Sequence, residues 1–150
     1  MRKLRIALAA LAMTAASLAL AAPAQAETAE AHCSTGVPFH EWELHAHATY
    51  YVEGASHYWT EASFMLGGAP AGFKSNVNWR LRNQTTGTQQ DSNPTLASYN
   101  SPDSLHSNIW YTVPISVSVP DSYHEYMKFH GIFDVGNAPD PSCKAYTPSV

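Results

Sequence analysis

Basic residues, cysteines and long apolar runs are all scarce in this chain of 150 residues. Eight Lys and Arg stand against twelve Asp and Glu, so the formal net charge is −4 at pH 7 with neutral His. Proteins that bind nucleic acid need a cationic surface to displace counterions from phosphates, so we expect no nucleic-acid partner. After residue 22 no run approaches the roughly 20 apolar residues of a bilayer-spanning helix, so we expect no membrane insertion.

Catalytic signatures are missing as well. The chain has no Gly-x-Ser-x-Gly elbow for a serine nucleophile and no Gly-rich phosphate loop between a strand and a helix. Paired carboxylates for glycoside cleavage are available, but each acid is typical of a soluble strand face or loop. These acids are Glu41, Glu43, Glu53, Glu61 and Glu125. We therefore expect a protein that is not an enzyme and needs no cofactor.

The amino-terminal segment is the strongest positive signal in the sequence. Arg2, Lys3 and Arg5 precede an apolar run over residues 6–22, and small residues follow up to Ala26. This order is typical of a secretory signal peptide that is cleaved after Ala26. We expect a soluble, extracellular protein, and a leader followed by a small two-cysteine domain is typical of bacterial exported proteins.

The predicted organisation is a signal peptide over 1–26 and one domain over 27–150, close to the common size of a single domain. Three of the eight basic residues and none of the twelve acids lie in the leader, so the remaining chain carries a net charge of −7. In an oxidising compartment the two cysteines, Cys33 and Cys143, predict one disulfide. Closing so long a loop stabilises the fold by roughly 4 to 5 kcal/mol in the chain-entropy model. A metal site that uses Cys33 beside His32, and two free thiols, are the alternatives.

Alternation of apolar and polar residues with a period of two dominates the sequence and predicts strands with one buried face. Segments 44–53 and 57–66 read as a hairpin around a turn at 54–56. In the second segment Tyr58, Thr60, Ala62, Phe64 and Leu66 alternate with Trp59, Glu61, Ser63 and Met65. Further strands are predicted at 77–82, 109–119 and 126–135, with a long loop containing one edge strand over 91–108 and an irregular tail after Gly136.

Two positions within these strands carry a specific expectation. Pro114 cannot donate to a ladder, which indicates an edge or a bulge, and Gly131 suggests a second bulge. No window after the leader keeps the spacing of an amphipathic helix for three turns. Six or seven strands predict an antiparallel β-sandwich, and an immunoglobulin-like arrangement is one form of it, although the usual two core cysteines around a central Trp are absent.

His45-Ala46-His47 is the sharpest local feature. Side chains two apart on a strand project from one face about 7 Å apart, which suits a shared zinc or copper ion. Across the hairpin His57 is the first candidate for a third ligand. The other candidates are His124, His130, Glu41, Glu43 and Glu53. The alternative is two surface histidines on the solvated face of a strand.

Aromatic residues give the remaining clue, because Trp59 and Trp110 fall on the faces opposite the most apolar stripes. With Tyr51 they are candidates for binding a sugar ring or a protein surface. For any single Trp the alternative is packing in the core, under other strands or the long loop. We expect a secreted adaptor or accessory subunit that binds another secreted or cell-surface protein. Residues 27–32, ahead of Cys33, are expected to stay free to pair with a partner's sheet edge. A carbohydrate-binding module and a His-ligated zinc or copper protein are the two alternatives.

Overall fold

The computed structural model is an all-β structure of two packed antiparallel sheets. It describes residues 24–37, 39–70, 72, 74–136 and 139–150. The predicted leader therefore lies almost wholly outside the described residues. In the described part of the chain no helix is long and apolar enough to cross a membrane.

Eight strands are found in the described residues, one or two more than predicted. They are β1 Ala26–Val37, β2 His40–Glu53, β3 Ser56–Gly68, β4 Asn76–Asn83, β5 Thr95–Asn100, β6 Tyr111–Pro120, β7 Glu125–Ile132 and β8 Ser142–Tyr146. The first sheet has the order β1-β2-β3-β6 and the second has the order β5-β4-β7-β8. This confirms the predicted antiparallel β-sandwich and places the edge strand of the 91–108 segment at β5.

The β2–β3 hairpin confirms the strongest alternation in the sequence. Leu44, Ala46, Ala48 and Tyr50 are buried between the sheets, and their polar neighbours point outward. This division arises because successive side chains of a strand alternate between its two faces. Val52 departs from the pattern at 42% exposure, since the sandwich ends there.

In the β2–β3 pairing Tyr50 lies opposite Trp59 and Thr49 lies opposite Glu61, so Thr60 is an extra residue that reverses the predicted faces at the start of β3. The extra residue turns Trp59 inward, where it is 1% exposed, and leaves Thr60 outside. Trp59 therefore packs in the core and cannot serve as the candidate binding residue. On the other side of β3, the β3–β6 register also shifts, and there Glu61 pairs with Pro114 of the edge strand β6. This confirms the position expected of a residue without an N–H donor.

Two segments outside the predicted strands are strands. Residues 27–32 belong to β1 and pair with β2 over their whole length, so they are part of the first sheet and not an unpaired segment; β1 is the edge strand of that sheet. The tail contains β8, which pairs with β7 from Ser142 to Tyr146. In both strands small inward-facing side chains, Ala29 and Ala31 in β1 and Ala145 in β8, alternate with polar ones.

Gly131 marks a close approach of the two sheets and not the predicted bulge, because its pairing with both neighbouring strands is regular. A Cβ atom at this position would lie 3.4 Å from Cδ2 of Leu44 and 3.5 Å from Cδ2 of Leu66. The strand it belongs to also ends earlier than predicted, at Ile132. The missing side chain lets β7 pack directly against β2 and β3.

The predicted disulfide joins Cys33 of β1 to Cys143 of β8, with 5.9 Å between the Cα atoms. The bond links the edges of the two sheets across a separation of 110 residues. Because β1 and β8 belong to different sheets, the bond closes one side of the sandwich. It also excludes the alternative in which Cys33 offers a thiolate to a metal.

Candidate metal site

The outer face of the first sheet brings together polar side chains from β1 and β2 that the sequence keeps apart. The β1–β2 register places His32 opposite His45 and Ser34 opposite Glu43. These residues point away from the core because the residues between them, including Leu44, point into it. We call the outward-facing residues Glu30, His32, Glu43, His45 and His47 the histidine face.

Three members of the histidine face form a potential metal-binding group. One ligand atom each from His32, Glu43 and His45 lies within 4.8 Å of the other two. The His45 Nε2 and Glu43 Oε2 atoms are 2.9 Å apart, and the centroids of the His32 and His45 rings are 4.6 Å apart. Imidazole nitrogen and carboxylate oxygen are ligands of zinc, and such a set occurs in zinc sites that keep an open position.

Solvent reaches this group from one side. The side chains of His45 and Glu43 are 38% and 37% exposed, and His32 is exposed. On the next strand Gly67 pairs with Glu43 and has no side chain to cover it; a Cβ there would lie 3.8 Å from Glu43 Oε2 and from His45 Cδ2. An ion can therefore enter without rearrangement of the backbone.

The metal set predicted from sequence, His45, His47 and His57, is not brought together. His45 is in the cluster, but the ring of His47 instead lies 5.1 Å from that of Trp110. The Nδ1 atom of His57 is 2.8 Å from Oε1 of Glu125, and its side chain is only 13% exposed. His57 is thus held inside the sandwich end by an acid of the other sheet. Glu43 had been one of the candidate third ligands, whereas His32 had been considered only beside Cys33.

A shallow cleft of about 380 Å³ adjoins the candidate ligands. It is lined by Glu30, Ala31, His32, His45, Ala46, His47 and Trp110. Trp110 is 48% exposed, as the sequence predicted, and it stands immediately before β6. A group bound to the ion would therefore have an aromatic ring within reach.

Tyr51, the third aromatic candidate, lies towards the other end of the same sheet. It is half-buried and its ring stacks on that of Tyr58, with 5.1 Å between centroids and 8° between planes. Each ring therefore covers one face of the other. Both tyrosines are half-buried, whereas Trp110 is 48% exposed.

A buried polar group occupies the end of the sandwich beyond the metal site. The Tyr50 hydroxyl donates to Glu27 at 2.7 Å, and Glu125 is fully buried beside His57. Burial raises the pKa of Tyr50 to about 12, and the carboxylates of Glu27 and Glu125 add to the rise because they disfavour a phenolate. No hydroxyl, thiol or other nucleophile is hydrogen-bonded to His57 among the described contacts, so this pair lacks the third member of a hydrolytic triad.

No family model matches the chain, and no curated protein or solved structure is significantly similar to it.

Proposed function

We propose that this chain is an exported, non-enzymatic β-sandwich that binds a transition-metal ion, zinc or copper, on its histidine face. The observation that carries the proposal is the convergence of His32, Glu43 and His45 within 4.8 Å. Ligands about 2 Å from one ion lie at most about 4 Å apart, so rotation of these partly exposed side chains completes the set. Copper(II) accepts the same nitrogen and oxygen ligands.

Three protein ligands leave one tetrahedral position for a water molecule or for a group from another molecule. The cleft beside Trp110 gives that group a place, so the site suits reversible binding better than a structural ion. Because the disulfide already stabilises the fold, a bound metal ion is not needed for structural stability. For the same reason the site supports the predicted binding role without requiring catalysis.

Export by cleavage of the leader after Ala26 is part of the proposal, as is a bacterial source, and the disulfide supports export because such bonds persist in oxidising compartments. We further propose that strands β2 to β8 form an immunoglobulin-like sandwich. Without β1, the sheets contain strands one, two and five, and strands four, three, six and seven; constant-type immunoglobulin domains differ in that their fourth strand joins the first sheet. Trp79 on β4, the third of these strands, is buried in the core and corresponds in position to the core Trp of that class, whereas the disulfide here joins other strands.

Isothermal titration of the metal-free protein with zinc chloride, and separately with copper sulfate, tests the proposal. We expect one site, with affinity lowered at least about tenfold in His32→Ala and His45→Ala, since loss of one of three ligands costs several multiples of RT. His47→Ala is the matched control, because His47 is two residues from His45 on the same face but outside the cluster. Equal losses in the His45 and His47 variants, or no binding at micromolar concentrations, would reject this site.

The secreted adaptor predicted from sequence is the second candidate function. Residues 27–32 are not an unpaired segment, although β1 lies at the edge of its sheet. The main support for an adaptor is the pair of adjacent residues Ile109 and Trp110, each 48% exposed. Large apolar and aromatic residues that remain exposed are typical of binding surfaces. The measurement is affinity capture from the native culture medium, and Trp110→Ala is expected to abolish recovery of a stoichiometric protein partner.

A carbohydrate-binding role rests on the same ring. Retention on polysaccharide columns that Trp110→Ala abolishes and Trp59→Phe leaves unchanged would favour it, because Trp59 is buried and cannot contact a sugar.

A further inference from the structure

Positive charge is gathered on the outer face of the second sheet. The described residues contain five Lys and Arg residues, and only Lys74 lies elsewhere. Arg80 and Arg82 lie on β4, Lys128 on β7 and Lys144 on β8. The register aligns them, because Arg80 pairs with Lys128, and Lys144 pairs with the residue two positions further along β7. We call this surface the basic face.

The lysines of the basic face share a single acid. Asp91 accepts hydrogen bonds from Lys128 and, at 2.6 Å, from Lys144. These two contacts lower the pKa of Asp91 to about 2, the contact with Lys128 being the larger cause. One carboxylate therefore balances one of the four cationic side chains, and a net charge of about +3 remains in a chain that is otherwise strongly acidic.

The two arginines have no acidic partner. Arg80 donates to the carbonyl oxygen atoms of Trp79 and Tyr99, at 2.8 Å and 3.1 Å, and Arg82 donates to that of Asp91 at 2.7 Å. In the part of the chain that the structure describes, no carboxylate lies within 4.0 Å of either guanidinium. Arg82 is only 9% exposed, and its Nε is buried without a hydrogen-bond partner. A buried donor in this state costs stability unless another molecule satisfies it.

These side chains surround a cleft of about 230 Å³. Its lining consists of Asn78, Arg80, Arg82, Lys128 and His130. We propose that this cleft binds a small tetrahedral oxyanion with the chemistry of phosphate or sulfate. Arginine is suited to this task because its planar group offers several N–H donors in a fixed geometry, and Asn78 adds an amide donor.

The surroundings favour a small anion over a polymer. Outside the basic face the chain carries eleven acids and one Lys from residue 27 onward, so an extended polyanion would meet repulsion beyond the face. The positive electrostatic potential inside the cleft affects His130. Burial lowers the pKa of His130 first, and the positive charges of Lys128 and Lys144 lower it further.

The main experiment is titration of the purified protein with inorganic phosphate and with sulfate, in a chelator and at constant ionic strength set with chloride. The chelator keeps the result independent of the metal site on the other sheet. We expect saturable binding that Arg80→Gln weakens at least about tenfold, the ratio corresponding to loss of one charge-assisted interaction. Lys74→Gln is the matched control, since it removes the same unit of charge away from the basic face, and binding should be unchanged.

A measurement on the unmodified protein guards against a variant that does not fold. In two-dimensional amide spectra, phosphate should shift the signals of Asn78, Arg80 and His130 and leave those of the histidine face in place. Asp91→Asn should strengthen phosphate binding severalfold, because it frees the two lysines from their internal carboxylate. Saturable shifts confined to other surfaces, an equal loss in the Arg80 and Lys74 variants, or no effect beyond that of chloride would overturn the proposal.

Discussion

The buried pair of His57 and Glu125 offers the sharpest test of how the two sheets are held together. Glu125 is fully buried on β7, and its Oε1 lies 2.8 Å from His57 Nδ1 on β3, a strand of the opposite sheet. The other carboxylate oxygen, Oε2, is buried without a partner. Replacing His57 by Leu therefore leaves a buried carboxyl group without a side-chain hydrogen-bond partner among the described residues.

The expected cost of His57→Leu follows from that isolation. Removal of one member of a buried charged pair typically destabilises a protein by about 3 to 5 kcal/mol, whereas loss of a neutral hydrogen bond to a buried group costs about 1 to 3 kcal/mol. A domain of this size has a free energy of unfolding of only about 5 to 15 kcal/mol, so this loss is a large fraction of its stability. Glu125→Leu should cost less, because His57 is partly exposed and water can reach its ring.

Urea unfolding, monitored by tryptophan fluorescence, measures these differences with the linear extrapolation. The double variant His57→Leu, Glu125→Leu should recover most of the loss, because two apolar side chains of similar size replace the whole pair. His124→Ala is the control on an exposed neighbouring residue and should change stability by less than about 0.5 kcal/mol. A cost below about 1 kcal/mol for His57→Leu, or a double variant as unstable as this single one, would refute the reasoning.

Three further predictions concern stability. Removing the disulfide with Cys33→Ser and Cys143→Ser should lower the free energy of unfolding by roughly 4 to 5 kcal/mol in the chain-entropy model, measured by chemical denaturation. Asp91 has a lowered pKa of about 2, so its ionised carboxylate stabilises the fold above pH 4, and this stabilisation is lost as the pH falls towards 2. Because the side chain is 47% exposed, the stabilisation is less than about 1 kcal/mol. In Asp91→Asn the free energy of unfolding should therefore fall less steeply at acid pH than in the unmodified protein. Gly131→Leu should destabilise by about 1 to 3 kcal/mol, because a Cβ at this position already touches Leu44 and Leu66 and the atoms beyond it would overpack the opposite sheet; a thermal melt measures the loss.

The local sequence pattern was sufficient to predict the buried face of a strand wherever apolar and polar residues alternate along it without interruption. The buried stripe from Leu44 to Tyr50 and the sandwich architecture follow from it, and so does the disulfide once an oxidising compartment is assumed. The alternation fails at Trp59, because the β2–β3 pairing contains one extra residue, Thr60, which puts Trp59 on the opposite face from the one that the spacing of the later residues of β3 predicts. Nothing in the local composition around Trp59 indicates that insertion.

The candidate site was only half predictable because it depends on strand pairing. His45 and Glu43 are two residues apart on one strand and share a face by rule. His32 joins them only because β1 folds back on β2 with His32 opposite His45, and that register is a non-local property. The signal that could have revealed β1 was present: Ala29 and Ala31 alternate with Glu30 and His32. The basic face required the same knowledge of register, since its lysines lie far along the chain from its arginines.

The metal site on the histidine face is the central claim, and anomalous X-ray diffraction from zinc-loaded crystals tests it most directly. The account predicts one strong anomalous peak about 2 Å from nitrogen atoms of His32 and His45 and from a carboxylate oxygen of Glu43. Peaks only at other histidines, or none under conditions that saturate known zinc proteins, would contradict it.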